Sequence, residues 1–332
     1  MEYGFSLQTG SPFRGRKLQL LTDFLAGCGL TYDYGIEYTV LITNIDNKII
    51  ATASLQESVI KCIAIEPSAQ GSGLTATLLT EIRKEALLRG HKHLFLYTKP
   101  ENRILFAPLG FYPIAAVKDV LLMEDRPNGF TQWIQSIRSP DASGKIGSIV
   151  MNCNPMTNGH LHLIRTAAQQ CDHLYVFILS EEKSFVPAAD RKQIVRQVLS
   201  EYPNITVVGT DRYLISSATF PDYFLKKELS VTDVWCALDI AVFIRTANAL
   251  GISCRFTGTE PFSPVTAAYN QAMAAQLPGH GIEYIEIPRY CINDLPVSAS
   301  HVRALIQNGM LEAIRPLVPD ATFDYFLQHY KS

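Results

Sequence analysis

Ile146-Gly147-Ser148-Ile149-Val150-Met151 runs straight into Asn152-Cys153-Asn154-Pro155-Met156-Thr157-Asn158-Gly159-His160-Leu161, a strand-to-helix passage from which the architecture can be read. The first six residues read as an apolar strand, and a helix starts at about 159 and runs to 168. A helix N-terminus entered directly from a strand presents unpaired backbone N–H groups and a partial positive charge, which suits phosphate. Gly159 lets a ligand approach the backbone closely. His160 is placed to donate a hydrogen bond to a phosphate oxygen as charge builds during transfer. The plainer alternative is a strand-to-helix turn capped by Thr157, with His160 at the surface.

Downstream, strand and helix alternate. Strands are expected at 173–179, 205–208, 253–256 and 282–287, and helices at 191–199 and roughly 232–250. That alternation implies right-handed crossovers and a parallel sheet. Ligands of such sheets bind at the carboxyl ends of the strands, where strand order reverses. Gly258, Thr259 and Glu260 follow one such strand end.

Upstream lies a linker, Ser139-Pro140-Asp141-Ala142-Ser143-Gly144, preceded by a turn-rich 125–129 and a helix at 130–137. The expected organisation is therefore a first domain over 1–125, a connecting helix and linker over 126–144, and a second domain over 145–332. The first domain begins with a hairpin, 38–45 and 48–54, turned at Asp46-Asn47. Strands follow at 59–65 and 93–98. Between them Leu74, Leu78, Leu79, Ile82 and Ala86 recur at helical spacing, and Gly90 ends that helix.

The chain has 332 residues, which at roughly 150 residues per domain suggests two domains. Its 29 basic and 31 acidic residues give a net charge of −2, which offers no basic face for nucleic acid. No apolar run is long enough to span a membrane, and no signal peptide is evident at the N-terminus. The seven cysteines are scattered and form no Cys-x-x-Cys pair, so they read as reduced thiols of a cytoplasmic protein, without disulfides or structural zinc.

Thr157-Asn158-Gly159-His160 resembles the T/H-x-G-H signature of the nucleotidyltransferase superfamily. The second signature of that superfamily, I-S-x-[ST]-x-[VI]-R, is matched by Val297-Ser298-Ala299-Ser300-His301-Val302-Arg303 at the expected distance. The match makes physical sense as well. Ser298 suits the N-cap of a helix ending at Gly309, and Ser300 and Arg303 lie one turn apart, able to address one anion. The first domain carries Ser68-Ala69-Gln70-Gly71-Ser72-Gly73-Leu74, similar to the pyrophosphate loop of the GNAT acetyltransferases, although Ser68 stands where that loop has Arg or Gln. Ile215-Ser216-Ser217-Ala218-Thr219-Phe220-Pro221 and Phe256-Thr257-Gly258-Thr259-Glu260-Pro261-Phe262 complete a resemblance, over nearly the whole chain, to the citrate lyase ligases.

That resemblance implies an α/β protein: a GNAT-like mixed domain followed by a Rossmann-like nucleotidyltransferase domain with a parallel sheet. It implies that ATP and acetate give acetyl-adenylate and pyrophosphate, and that the acetyl group then passes to the prosthetic-group thiol on the acyl carrier subunit of citrate lyase. His160, Arg303 and Lys183 would be the catalytic residues. Asn152, Asn154, Thr157, Gly159, Gly258, Thr259, Glu260, Ser298 and Ser300 would join His160 and Arg303 in holding ATP. Mg²⁺ would come with the nucleotide, without a dedicated protein cage. Ile65, Gln70, Gly71 and Gly73 would hold a CoA or phosphopantetheine arm. The alternative is an adenylyltransferase of the pantetheine-phosphate or nicotinamide-mononucleotide type, which would use the same phosphate site with a phosphate acceptor. For Asp239, within an apolar run, a buried and hydrogen-bonded structural carboxylate is the preferred reading.

Overall fold

Two sheets follow from the two chain patterns. The structure, a computed structural model, describes residues 4–10, 12–33, 35–180, 184–214, 220–225, 229–261, 263–293 and 295–330. By internal contact it divides into Met1–Phe130 with Phe220–Leu238, and Thr131–Thr219 with Asp239–Ser332.

In the first unit, strand β1 (Ser6–Gly10) precedes helix α1 (Gly15–Gly27). Strands β2 (Tyr38–Thr43) and β3 (Ile49–Gln56) form the expected antiparallel hairpin, with Asn47 at φ 59 in its turn. An Asn tolerates this left-handed conformation better than most residues. Strand β4 (Val59–Ile65), helix α2 (Leu74–Leu88), β5 (Phe95–Thr98), the short α3 (Arg103–Phe106), β6 (Tyr112–Ala116) and β7 (Leu121–Glu124) complete the unit. The sheet order is β1-β2-β3-β4-β5-β7-β6. Only β4 and β5 run parallel, which is why the long connection through α2 lies between them. All five apolar residues picked out by helical spacing in α2 are buried against this sheet.

The second unit begins with α4 (Gly129–Ile137). Trp133 in this helix stacks on Tyr213 at 4.7 Å, and the Ser139 N–H donates to the Tyr175 hydroxyl at 2.8 Å. The stretch expected to be a linker is thus anchored on this unit. Strand β8 (Ile146–Met151), α5 (Asn158–Ala168), β9 (His173–Ile178), α6 (Ala188–Val198), β10 (Ile205–Gly209), α7 (Val231–Leu250, of which this unit holds the part from Asp239 onward), β11 (Ile252–Gly258), α8 (Pro264–Gln276) and β12 (Glu283–Ile287) alternate as the sequence pattern requires. All four pairings are parallel, in the order β10-β9-β8-β11-β12. The order reverses beside β8, so the switch point lies between β8 and β11. A two-residue ladder joins β13 (Cys291–Ile292) and β14 (Leu295–Pro296), and helices α9 (Ala299–Gln307) and α10 (Asp320–His329) close the unit.

The segment Phe220–Leu238, which the linear reading places with 145–332, groups with the first unit. Thr31 donates its N–H to the Tyr223 carbonyl at 2.9 Å, and Phe220 sets its ring edge-on to Tyr97 at 6.0 Å. These partners are far apart in sequence, and no local periodicity encodes such a pairing. All seven cysteines are free thiols, and Cys62, Cys153, Cys236 and Cys254 are buried. Among the described residues no helix is long and apolar enough to cross a membrane.

Candidate active site

The β8–α5 turn is built by a reciprocal cap. Thr157 accepts a hydrogen bond from the His160 N–H at 3.4 Å, while the Thr157 N–H donates to His160 Nδ1 at 3.0 Å. This is a capping box with histidine in the place usually taken by Glu or Gln. The box also fixes the histidine tautomer. Nδ1 accepts a backbone proton, so the neutral imidazole carries its own proton on Nε2 and presents a donor there.

Surrounding protein, and secondarily the positive charge of Arg289, hold the His160 pKa down to about 4. The ring is therefore neutral across the physiological range. With a folded pKa below the ordinary 6.5, its contribution to stability is complete above pH 6.5 and is lost as pH falls towards 4. An NMR titration of the nucleotide-free protein should show this imidazole protonating near pH 4, and a midpoint near 6.5 would contradict the assigned environment.

The C-terminal motif meets this turn. Ser298 caps α9, accepting from the His301 N–H at 3.2 Å. Arg303, one turn into that helix, donates from Nη1 to the Asn154 carbonyl at 2.6 Å and from Nη2 to Ser300 Oγ at 3.0 Å. A Cβ added to Gly159 would stand 3.0 Å from the Val297 carbonyl oxygen, so any larger residue would crowd the place where the two motifs touch.

A cavity of about 360 Å³ opens here, at the carboxyl ends of β8, β11 and β12. Thr157, Gly159, His160, Gly258, Thr259, Glu260, Ser298 and Ser300 all line it. Arg303 is tied to this wall through Ser300 and Asn154. Asn152 and Asn154 do not line the cavity. Their side chains are engaged behind it, Asn152 Oδ1 with Arg191 and Asn154 Oδ1 with the Val186 N–H at 2.9 Å. Lys183 lies outside the described residues, as do 215–219 and Phe262 of the two distinctive strings.

Sequence reasoning missed three arginines. Arg289 follows β12, donates from Nε to the Thr259 carbonyl at 2.7 Å and pairs with Glu260. It lines the cavity and thereby explains Glu260, whose other oxygen accepts from the Ser263 N–H at 3.1 Å. Its position just past a strand end was the available signal. Arg191, only 1% exposed, reaches from α6 to the carbonyl of Asn152 at 2.7 Å and that of Val186 at 3.0 Å. Replacing Arg191 with Met would orphan these acceptors, and a loss of about 2–4 kcal/mol in unfolding free energy is expected from denaturant titration. The third, Arg255, sits inside an otherwise uncharged strand. Asp239 is buried and accepts from the Tyr269 hydroxyl, in keeping with a structural, hydrogen-bonded carboxylate.

In the first unit, β4 and β5 pair only at Val59–Phe95 and Ile60–Leu96. Beyond these pairs both strands line a second cavity, of about 420 Å³. Ile65, Gln70 and Gly71 line it, and Gly73 is the N-cap of α2, without a side-chain cap and at φ 81. A left-handed backbone there favours glycine.

The model of the citrate lyase ligase C-terminal domain family matches residues 146–326, more than half of the chain. This chain belongs to the citrate lyase ligase family. It is 40% identical over 318 residues to a [citrate [pro-3S]-lyase] ligase of Escherichia coli strain K12, covering 93% of this chain and 90% of that one. It is 39% identical over 329 residues to a [citrate [pro-3S]-lyase] ligase of Klebsiella pneumoniae, covering 94% and 96%. Among solved structures, an acetyltransferase of the GNAT family from Staphylococcus aureus Mu50 aligns with a TM-score of 0.31 at 13% identity, covering 36% of this ligase-family chain and 98% of that one.

Proposed function

We propose that this citrate lyase ligase family member activates acetate with ATP and acetylates the prosthetic-group thiol on the acyl carrier subunit of citrate lyase. The observation that carries the reading is the convergence of two distant motifs, around His160 and around Arg303, on one cavity at the switch point of a parallel sheet.

In the first step an acetate oxygen bonds to the α-phosphorus and the bond to the bridging oxygen breaks, releasing pyrophosphate. In the second, the carrier thiolate bonds to the acetyl carbon and AMP leaves. Acetate is already ionised at neutral pH, so the first step needs no general base. What it needs is relief of repulsion between an anion and a polyanion, together with an in-line approach. His160 supplies an Nε2–H donor aimed at developing phosphate charge. Arg303 and Ser300 grip the departing pyrophosphate, and Thr259, Glu260 and Arg289 form the adenosine side. Lys183 is assigned as a further phosphate contact.

Mg²⁺ would neutralise phosphate charge and arrive with the nucleotide, since it retains water and binds chiefly through phosphate oxygens. The cavity lined by Ile65, Gln70 and Gly71, with Gly73 at the start of α2, is assigned to the phosphopantetheine-like arm of the carrier. We assign residues 1–125 as its GNAT-like domain, 126–144 as the connecting helix and linker, and 145–332, apart from the Phe220–Leu238 segment that groups with the first unit, as its nucleotidyltransferase-like domain, and the reaction to the cytoplasm.

The test is incubation with ATP, radiolabelled acetate and deacetylated citrate lyase. Label on the small acyl carrier subunit, with one pyrophosphate released per acetyl group, is expected. Pyrophosphate release that needs a phosphate acceptor instead of acetate would point to the adenylyltransferase alternative.

A further inference from the structure

Arg255 is the one position at which strand β11 places a full charge inside the fold. Side chains alternate along a strand, so Cys254 and Phe256 enter the core while Arg255 and Thr257 face the other way. On that side the guanidinium lies over the Phe243 ring at 4.6 Å, and Arg255 is 2% exposed. Its Nε and Nη1 are buried without a hydrogen-bond partner. A buried ionic group left unsatisfied is costly, and native structures rarely keep one without a use. Arg255 also lines the same cavity as Thr157 and His160.

We propose that Arg255 anchors the carboxylate of the acid substrate, a short-chain monocarboxylate, at the inner end of the nucleotide cavity. This rests on the acid-activating reading above and adds the acid subsite to it. The neighbourhood favours a small monoanion over a phosphate chain. Asp239 and Tyr269, hydrogen-bonded to each other, stand close enough to favour the charged arginine, so the local charge is already partly balanced. A polyanion gains more from the capped helix N-terminus at His160 and from Arg303. Met273, 1% exposed, and Leu163 give the same cavity an apolar wall against which a methyl group can rest, while Asn270 is tied to the Gly258 carbonyl at 3.1 Å. Arg255 and His160 line one cavity, so an acid held by Arg255 shares the space of the nucleotide, and displacement at the α-phosphate requires an in-line approach.

The experiment compares the full-length chain with Arg255→Gln and Arg255→Lys. The KM for acetate in acetate-dependent pyrophosphate release should rise about 10- to 100-fold in Arg255→Gln, the loss of a charge-assisted hydrogen bond, and should rise less in Arg255→Lys. The KM for ATP should change less than twofold in both. Independently of turnover, sodium acetate should raise the melting temperature of the wild type and leave that of Arg255→Gln unmoved. Should Arg255→Gln fail to fold, the same two measurements on Arg255→Lys decide. An unchanged acetate KM and thermal shift in the folded variants would overturn the proposal, as would ATP and acetate affinities falling together. If the wild type releases no acetate-dependent pyrophosphate, the acid-activating reading fails. The thermal shift then still reports whether Arg255 holds a monocarboxylate.

Discussion

Replacing His160 with alanine is expected to lower kcat for acetate-dependent pyrophosphate release by about 100- to 1000-fold, the usual effect of removing one preorganised donor from a developing oxyanion. The structure supplies the reason. Thr157 N–H occupies Nδ1, so the ring's proton sits on Nε2 of a side chain that lines the cavity, and burial keeps the ring neutral well below pH 7. The donor is in place before substrate arrives and needs no protonation. Folding should suffer little. The variant loses one half of a capping box, about 1 kcal/mol, while Thr157 still caps the helix. Rapid-quench measurement of pyrophosphate release, paired with a thermal melt, separates the two effects. Turnover within threefold of wild type would remove His160 from the chemistry.

Arg303→Lys is expected to reduce kcat/KM for ATP by about 10- to 100-fold. The guanidinium joins two motifs at once, donating from Nη1 to the Asn154 carbonyl and from Nη2 to Ser300 Oγ. A lysine keeps the charge but has a single terminal nitrogen, so it cannot span both partners and turn a flat face to a phosphate chain. Loss should appear mainly as weaker nucleotide binding, read by titration with a non-hydrolysable ATP analogue. Binding equal to wild type would show that charge alone suffices and that the planar fork is not used.

Much of the candidate site was legible because it is written in local signals. Thr157 and Ser298 are side-chain oxygens immediately before helices, and both cap them as their positions predict. Gly258 ends β11 and Thr259 and Glu260 follow it, and strand ends of parallel sheets face the cavity. The asparagines illustrate the opposite case. Asn152 and Asn154 belong to the same loop as Thr157, yet they turn towards Arg191 and Val186, because a buried guanidinium from α6 and an N–H ahead of that helix need acceptors there. Their orientation depends on a partner over thirty residues away. Arg289 and Arg255 have no local signature for a related reason: one closes a loop on Thr259 and Glu260, and the other is buried in a short strand of mixed polarity.

Local chemistry along the chain already dictates the alternation of strands and helices after residue 145, the hairpin and amphipathic α2 before it, and the two capped turns that bear the motifs. These depend on periodicity, capping and turn chemistry among near neighbours. Tertiary structure alone decided that Phe220–Leu238 packs with the first unit, that Gly159 abuts Val297, and that Arg255 is buried without partners at Nε and Nη1 beside His160's cavity. Such contacts join residues from tens to nearly two hundred positions apart, and their energies depend on burial and charge environment, which exist only once the chain has closed on itself.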